Sequence, residues 1–143
     1  MKVLVLNGPN LGRLDLRDNS IYGSLDFSQL KAFIENAATE NNLSADVRQS
    51  DSEVEIIQWL HEAAETHIPV IINPAAFTHY SYAIRDAAEM LDQPLIEVHL
   101  SNPLKREEFR HTSVISGIAS GTIAGFGPES YRLALIAMKG LLK

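Results

Sequence analysis

Between Asn7 and Tyr22 the chain brings three amides, two guanidiniums and a phenol into one polar stretch, "NGPNLGRLDLRDNSIY", directly after an apolar run. Asn7 and Asn10 can donate to or accept from a ligand oxygen, Arg13 and Arg17 are permanent cations, and Tyr22 can exchange a proton. A glycine turn at such a place often cradles a phosphate. Here both G-x-G-x-x-G and G-K-[ST] are missing, so neither the dinucleotide fingerprint nor the P-loop fits. Taken singly, Asn7-Gly8-Pro9-Asn10 reads as a turn and each arginine as a solvated surface charge. Of the four tyrosines Tyr22 is the functional candidate, because Gly23 follows it in a polar loop, whereas Tyr82 and Tyr131 lie beside helical apolar stripes.

A second cluster lies in "LIEVHLS", where Glu97 and His99 stand two apart and leave a strand on the same face. A carboxylate beside an imidazole orients the ring, fixes its tautomer and favours its protonated form. Asn73, Thr78 and His79 follow another apolar run, and Ser101, Arg106 and Arg110 follow the one that carries His99. A metal site with His79 as third ligand is the competing reading. The positive cluster of Arg17, Arg106 and Arg110 disfavours a divalent cation there. His61 and His67 read as surface groups, and Trp59 and Phe33 as core.

The elements that must position these groups are legible as five apolar runs: Val3–Leu6, Ala45–Val47 with its flanks, Ile68–Ile72, Leu95–Leu100 and Thr122–Phe126. Near-continuous Val, Ile and Leu mark parallel strands covered on both faces. Helical rhythms lie between them. Leu30, Phe33, Ile34, Ala37 and Ala38 form one stripe. Ser52-Glu53-Val54-Glu55 reads as a capping box before Ile56, Ile57 and Leu60. Ala83, Ile84, Ala87, Ala88 and Leu91 make a third stripe, and Pro128-Glu129 opens a fourth that runs to Leu142. This alternation predicts an α/β, doubly wound, five-stranded parallel sheet of flavodoxin-like order 2-1-3-4-5, with helices on both faces. Ligands bind such sheets at the carboxyl ends of the strands, where the order reverses. The polar residues named above cluster at those strand exits.

With 143 residues, 45% of them apolar, the chain predicts a single domain over 1–143 with a sizeable core. A net charge of −6 argues against a broad nucleic-acid or membrane footprint, and without cysteine neither a disulfide nor a thiolate metal site can form. The N-terminal apolar run reaches Asn7 too soon for a signal peptide, so a soluble, cytoplasmic protein is the expectation.

Seven ordered motifs then converge: "LNGPNLGRL", "YG" at Tyr22, "VRQSDSE", "INPAAFTH", "AIRDA", "PLIEVHLSN" and "REEFR", with "SGTIAGFG" after them. Together they resemble the type II 3-dehydroquinate dehydratases, or type II dehydroquinases, over nearly the whole chain. The resemblance implies a cofactor-free enzyme that removes water from 3-dehydroquinate to give 3-dehydroshikimate, in the shikimate pathway. It implies a flavodoxin-like fold in trimers that assemble into homododecamers. It assigns Tyr22 as the base, His99 as the general acid and Arg17 as a transition-state-stabilising arginine. Asn73, His79, Asp86, Leu100, Ser101 and Arg110 match the family's substrate-binding positions, and no metal ligand is implied. Two positions depart from the family pattern: Tyr80 replaces a small residue and is expected to alter packing behind His79, and the loop carries Asp18 with no proline following.

The residue types suit that chemistry. Removing a proton α to a ketone with a phenol requires the phenolate, and a free phenol titrates near 10. A cation about 4 Å away at an effective dielectric of about 20 contributes about 4 kcal/mol, equivalent to about three pH units. Arg17, helped by Arg110 or Arg13, is the candidate cation. Asn10, directly or through water, suits the enolate oxygen. His99 oriented by Glu97 can protonate the departing hydroxide. The substrate carboxylate suits the main-chain N–H groups at Leu100-Ser101, the Ser101 hydroxyl and the Asn73 amide. Asp86, on a helix away from the strand exits, is expected to reach a neighbouring subunit's pocket. The rival class is a flavodoxin-like small-molecule or flavin-binding module, which needs a Ser/Thr-rich phosphate loop where Gly8-Pro9-Asn10 stands.

Overall fold

The computed structural model describes residues 1–142. Five strands, β1 (Lys2–Asn7), β2 (Ser44–Gln49), β3 (Val70–Asn73), β4 (Leu95–His99) and β5 (Gly121–Ala124), form one sheet in the order β2-β1-β3-β4-β5. Every pairing is parallel, and the order is the one expected from the strand–helix alternation. The three central strands are the Val/Ile/Leu runs, and their side chains are buried on both faces. The edge strands β2 and β5 are half-exposed.

Period-two alternation divides β1 between two cores. Val3 and Val5 join Leu30 and Ile34 of α2 (Phe27–Glu40) and Tyr131, Leu135 and Met138 of α5 (Glu129–Leu141). Leu4 and Leu6 face the other way, toward Ile56 and Leu60 of α3 (Glu53–Thr66) and Ile84 of α4 (Tyr82–Ala88). Each such fully buried aliphatic side chain contributes about 1.5–3 kcal/mol relative to exposure.

The helix starts follow side-chain capping. Asp26 and Gln29 form a reciprocal capping box at α2, with bonds of 2.8 and 3.0 Å. The box expected at α3 is only half made. Ser52 Oγ accepts from Glu55 N at 3.3 Å, but the Ser52 N–H is taken by Ser50 Oγ at 2.9 Å. Ser81 caps α4 and donates to Glu53 at 2.5 Å, tying α4 to the start of α3.

Several expected core positions lie elsewhere. Trp59 and Phe33 are half-buried, and each presents its ring to an arginine, Arg48 at 5.6 Å and Arg132 at 4.8 Å. Ala83 and Tyr82 are exposed, because only Ile84, Ala87 and Ala88 of the short α4 face the sheet. β5 stops at Ala124, and Phe126 beyond it is exposed. α5 ends at Leu141, one residue before the expected limit.

Candidate active site

Where β1 and β3 diverge toward α-helices on opposite faces, a cleft opens at the carboxyl ends of the strands. The loop after β1 supplies Asn10, Arg17 and Tyr22; β3 and the segment after it supply Asn73 and His79. From the end of β4 come His99, Leu100 and Ser101, followed by Arg106 and Arg110. Ten of the residues singled out in the sequence therefore share one wall-to-wall site. Gly8 is required at its base: a Cβ there would stand 2.6 Å from the Pro74 carbonyl oxygen, where the two loops cross.

The others lie outside the lining, among them Asn7 and Thr78, both buried. Glu97 stands behind His99, fully buried. Arg13 points to solvent and pairs with Asp15 at 3.1 Å, so it is not the second cation beside Tyr22. Arg106 takes that place, with its guanidinium 5.0 Å from the Tyr22 ring centre. Asp86 is exposed on α4, away from the cleft of its own chain.

Tyr22 is not in an irregular loop. It ends α1 (Asn19–Tyr22), a single turn capped by Asp18, which accepts from Ser20 N at 2.9 Å. Gly23, at φ 85°, terminates the turn in a backbone conformation that a side chain would disfavour. The turn aims the phenol back at Arg17, whose Nη2 donates to Tyr22 Oη while its guanidinium lies 3.8 Å from the ring centre. Asp18, the departure from the family pattern, is thus a helix cap. Tyr80 likewise turns outward onto Phe77 and is exposed, so it does not pack behind His79; Phe109 meets that ring instead.

On the β4 side, His99 Nε2 and Glu97 Oε2 are 2.5 Å apart, as their shared strand face requires. Glu97 also accepts from Thr78 Oγ1 at 2.6 Å, Ser113 Oγ at 2.9 Å and Ser116 Oγ at 2.6 Å. Burial pushes its pKa up. The hydrogen bond and charge of His99, with the Ser116 and Thr78 hydroxyls, outweigh that and hold it below the ordinary range. With Nε2 committed to the carboxylate, Nδ1 is the ring nitrogen left to exchange a proton. Sequence reasoning missed Ser113 and Ser116 as members of the site. Their only signal is a pair of serines three apart, with Val114 and Ile115 between them.

His79 directs Nδ1 to the Thr112 carbonyl at 2.8 Å, which places the proton on that nitrogen and leaves Nε2 free. Arg106 donates to Ser101 Oγ at 3.2 Å, yet its buried Nε–H makes no hydrogen bond and lies 3.9 Å from the Glu107 carboxylate. Arg110 pairs with the exposed Glu107 at 3.0 Å. The cleft is therefore rich in cationic and neutral donors, a setting for an anionic ligand. Among the described residues no cluster of three or more His, Asp or Glu is arranged to hold a metal ion, and no helix is long and apolar enough to cross a membrane.

Comparison with known proteins gives one answer. The family model "Dehydroquinase class II" matches residues 1–139. A 3-dehydroquinate dehydratase of Salinispora tropica is 51% identical over 135 residues, 94% of each chain. The crystal structure of type II dehydroquinase from Propionibacterium acnes superposes with a TM-score of 0.94 at 50% identity, covering 97% of this chain and 96% of that one. The Butyrivibrio crossotus type II dehydroquinase gives 0.90 at 41% identity, over 96% and 97%. A match in sequence and fold over nearly the whole chain leaves one assignment: the chain belongs to the class II dehydroquinase family.

Proposed function

We propose that this chain, as one catalytic domain, is a hydro-lyase that converts 3-dehydroquinate to 3-dehydroshikimate in the biosynthesis of aromatic amino acids, in the cytoplasm. The observation that carries the reading is the meeting of two prepared proton-transfer pairs, Arg17–Tyr22 and Glu97–His99, in one donor-rich cleft.

Tyr22, to whose Oη Arg17 Nη2 donates, is the base that takes the proton α to the ketone. The electron pair moves onto the carbonyl oxygen as an enolate, which Asn10 meets with an amide N–H, directly or through one water. The enolate then returns its electrons and expels the β-hydroxyl. His99, protonated on Nδ1 while Glu97 holds Nε2–H, gives the proton that lets this group leave as water. The substrate carboxylate is read by Asn73, Ser101 and the main chain at Leu100-Ser101, and the ring hydroxyls by His79 and Arg110. Asp86 contributes from a neighbouring subunit of a homododecamer built of trimers. No electron is transferred in these steps and every proton has a named carrier, so the reaction needs no metal or organic cofactor.

The decisive experiment adds 3-dehydroquinate to the purified protein and follows the absorbance of the enone product, with and without a chelator. Turnover that survives the chelator supports the reading; no enone from the wild-type chain sinks it. Mixing Tyr22→Phe with Asp86→Ala subunits after reversible dissociation tests the shared site. Activity above the sum of the two parents is expected, and recovery no greater than that sum places Asp86 outside it.

A further inference from the structure

Tyr131 is fully buried on α5, yet its hydroxyl sits between two amides at the ends of adjacent strands, Asn7 of β1 and Asn73 of β3, which are register partners. Tyr131 Oη donates to Asn7 Oδ1 at 2.6 Å and accepts from Asn73 Nδ2 at 2.9 Å. Asn7 Nδ2 donates to the Arg48 carbonyl at 3.1 Å, and Asn73 Oδ1 accepts from the Ala75 N–H at 3.1 Å.

Both ends of this relay are main-chain groups whose roles cannot reverse: a carbonyl only accepts and an amide N–H only donates. Its polarity is therefore forced. Asn7 must show its nitrogen to Arg48, so its oxygen meets the phenol. The phenol has one proton and gives it to Asn7, so it must accept from Asn73. Burial pushes the phenol pKa up, which keeps that proton in place. Asn73 is then held with oxygen toward Ala75 and nitrogen toward Tyr131, leaving one N–H uncommitted. Asn73 borders the cleft, whereas Asn7 and Tyr131 do not.

We infer that Tyr131 is a positioning residue of the cleft floor: together with the Ala75 N–H it holds Asn73 so that it offers a donor to the substrate carboxylate rather than an oxygen that would repel it. This rests on the function proposed above, in which Asn73 reads that carboxylate. A hydrogen bond to a charged group is lost if the amide turns over, so the effect falls on binding and spares the proton transfers.

Steady-state kinetics with 3-dehydroquinate test the inference. Tyr131→Phe keeps the ring and is expected to raise KM about tenfold with kcat changed less than about threefold. Asn7→Ala, which removes the acceptor without touching the cleft, should raise KM in the same direction and carries the test if Tyr131→Phe does not fold. In an Asn73→Ala background, Tyr131→Phe should raise KM no further. Independent, multiplicative effects of Tyr131→Phe and Asn73→Ala overturn the relay. So does a KM unmoved by Tyr131→Phe while Asn73→Ala raises it, or a loss confined to kcat. If Asn73→Ala itself leaves KM unchanged, the carboxylate reading of Asn73 and the relay fall together. A wild-type chain without dehydratase activity rejects the proposed function at the outset, before any variant is compared.

Discussion

On the β4 wall of the cleft, His99 is held by a carboxylate that is itself fully buried and bonded to three hydroxyls from two other segments. On the wall after β1, Arg17 and Tyr22 hold chiefly each other, and Tyr22 ends a single helical turn whose cap and first three residues are exposed. The acid is thus built into the sheet, where strand period and tertiary hydrogen bonds leave it one position. The base rides on a segment with few buried contacts, the kind that opens at low free-energy cost. Chemistry that needs water excluded during reaction and product released afterwards is served by one fixed wall and one that can yield.

Tyr22→Phe breaks the comparison most sharply. Removing the base should lower kcat by about 10³-fold or more, while the thermal midpoint stays within about 1 °C, because the hydroxyl supports nothing but Arg17. Retention of a tenth of wild-type kcat would assign the base elsewhere. Glu97→Gln should differ in kind, harming both functions. We expect kcat to fall about 10²-fold as His99 loses its orienting charge, and the melting temperature to drop by about 10 °C, since an amide donor replaces one of the two oxygens that accept in a buried network. A Glu97→Gln protein as stable as the wild type would contradict the locked wall.

Arg17→Ala should lower kcat about 10²-fold with little change in melting temperature, and Arg17→Lys should restore part of it by returning the charge without the fork. Equal loss in both variants would show that geometry rather than charge is what Tyr22 needs.

Acid sensitivity sharpens the comparison from the other side. Because folding depresses the Glu97 pKa, its contribution to stability is complete above about pH 4.3 and is lost as pH falls through the lower folded value. Urea midpoints measured from pH 6 to pH 3 should therefore decline more steeply for the wild type than for Glu97→Gln; parallel curves would remove Glu97 from the acid response. Smallest of all, Ser113→Ala should cost about 1 kcal/mol and lower kcat only a few-fold, read by the same urea titration and by turnover.

The sheet order, the two-faced core and the shared face of Glu97 and His99 followed from sequence alone, because they rest on periods of two and 3.6 that each segment carries in itself. The cluster of polar residues at strand exits was legible for the same reason: topology puts those exits together whatever the side chains do. What the chain could not announce were pairings between distant polar groups. That Arg106 rather than Arg13 stands over Tyr22, and that Phe33 and Trp59 lie under arginines, depended on where loops and helix flanks came to rest. The same holds for Ser113 and Ser116 closing on Glu97, and for Tyr131 reaching Asn7 across 124 residues of chain. A single hydroxyl carries no periodic signal; its partner is decided only when packing has removed water and every buried donor must find an acceptor.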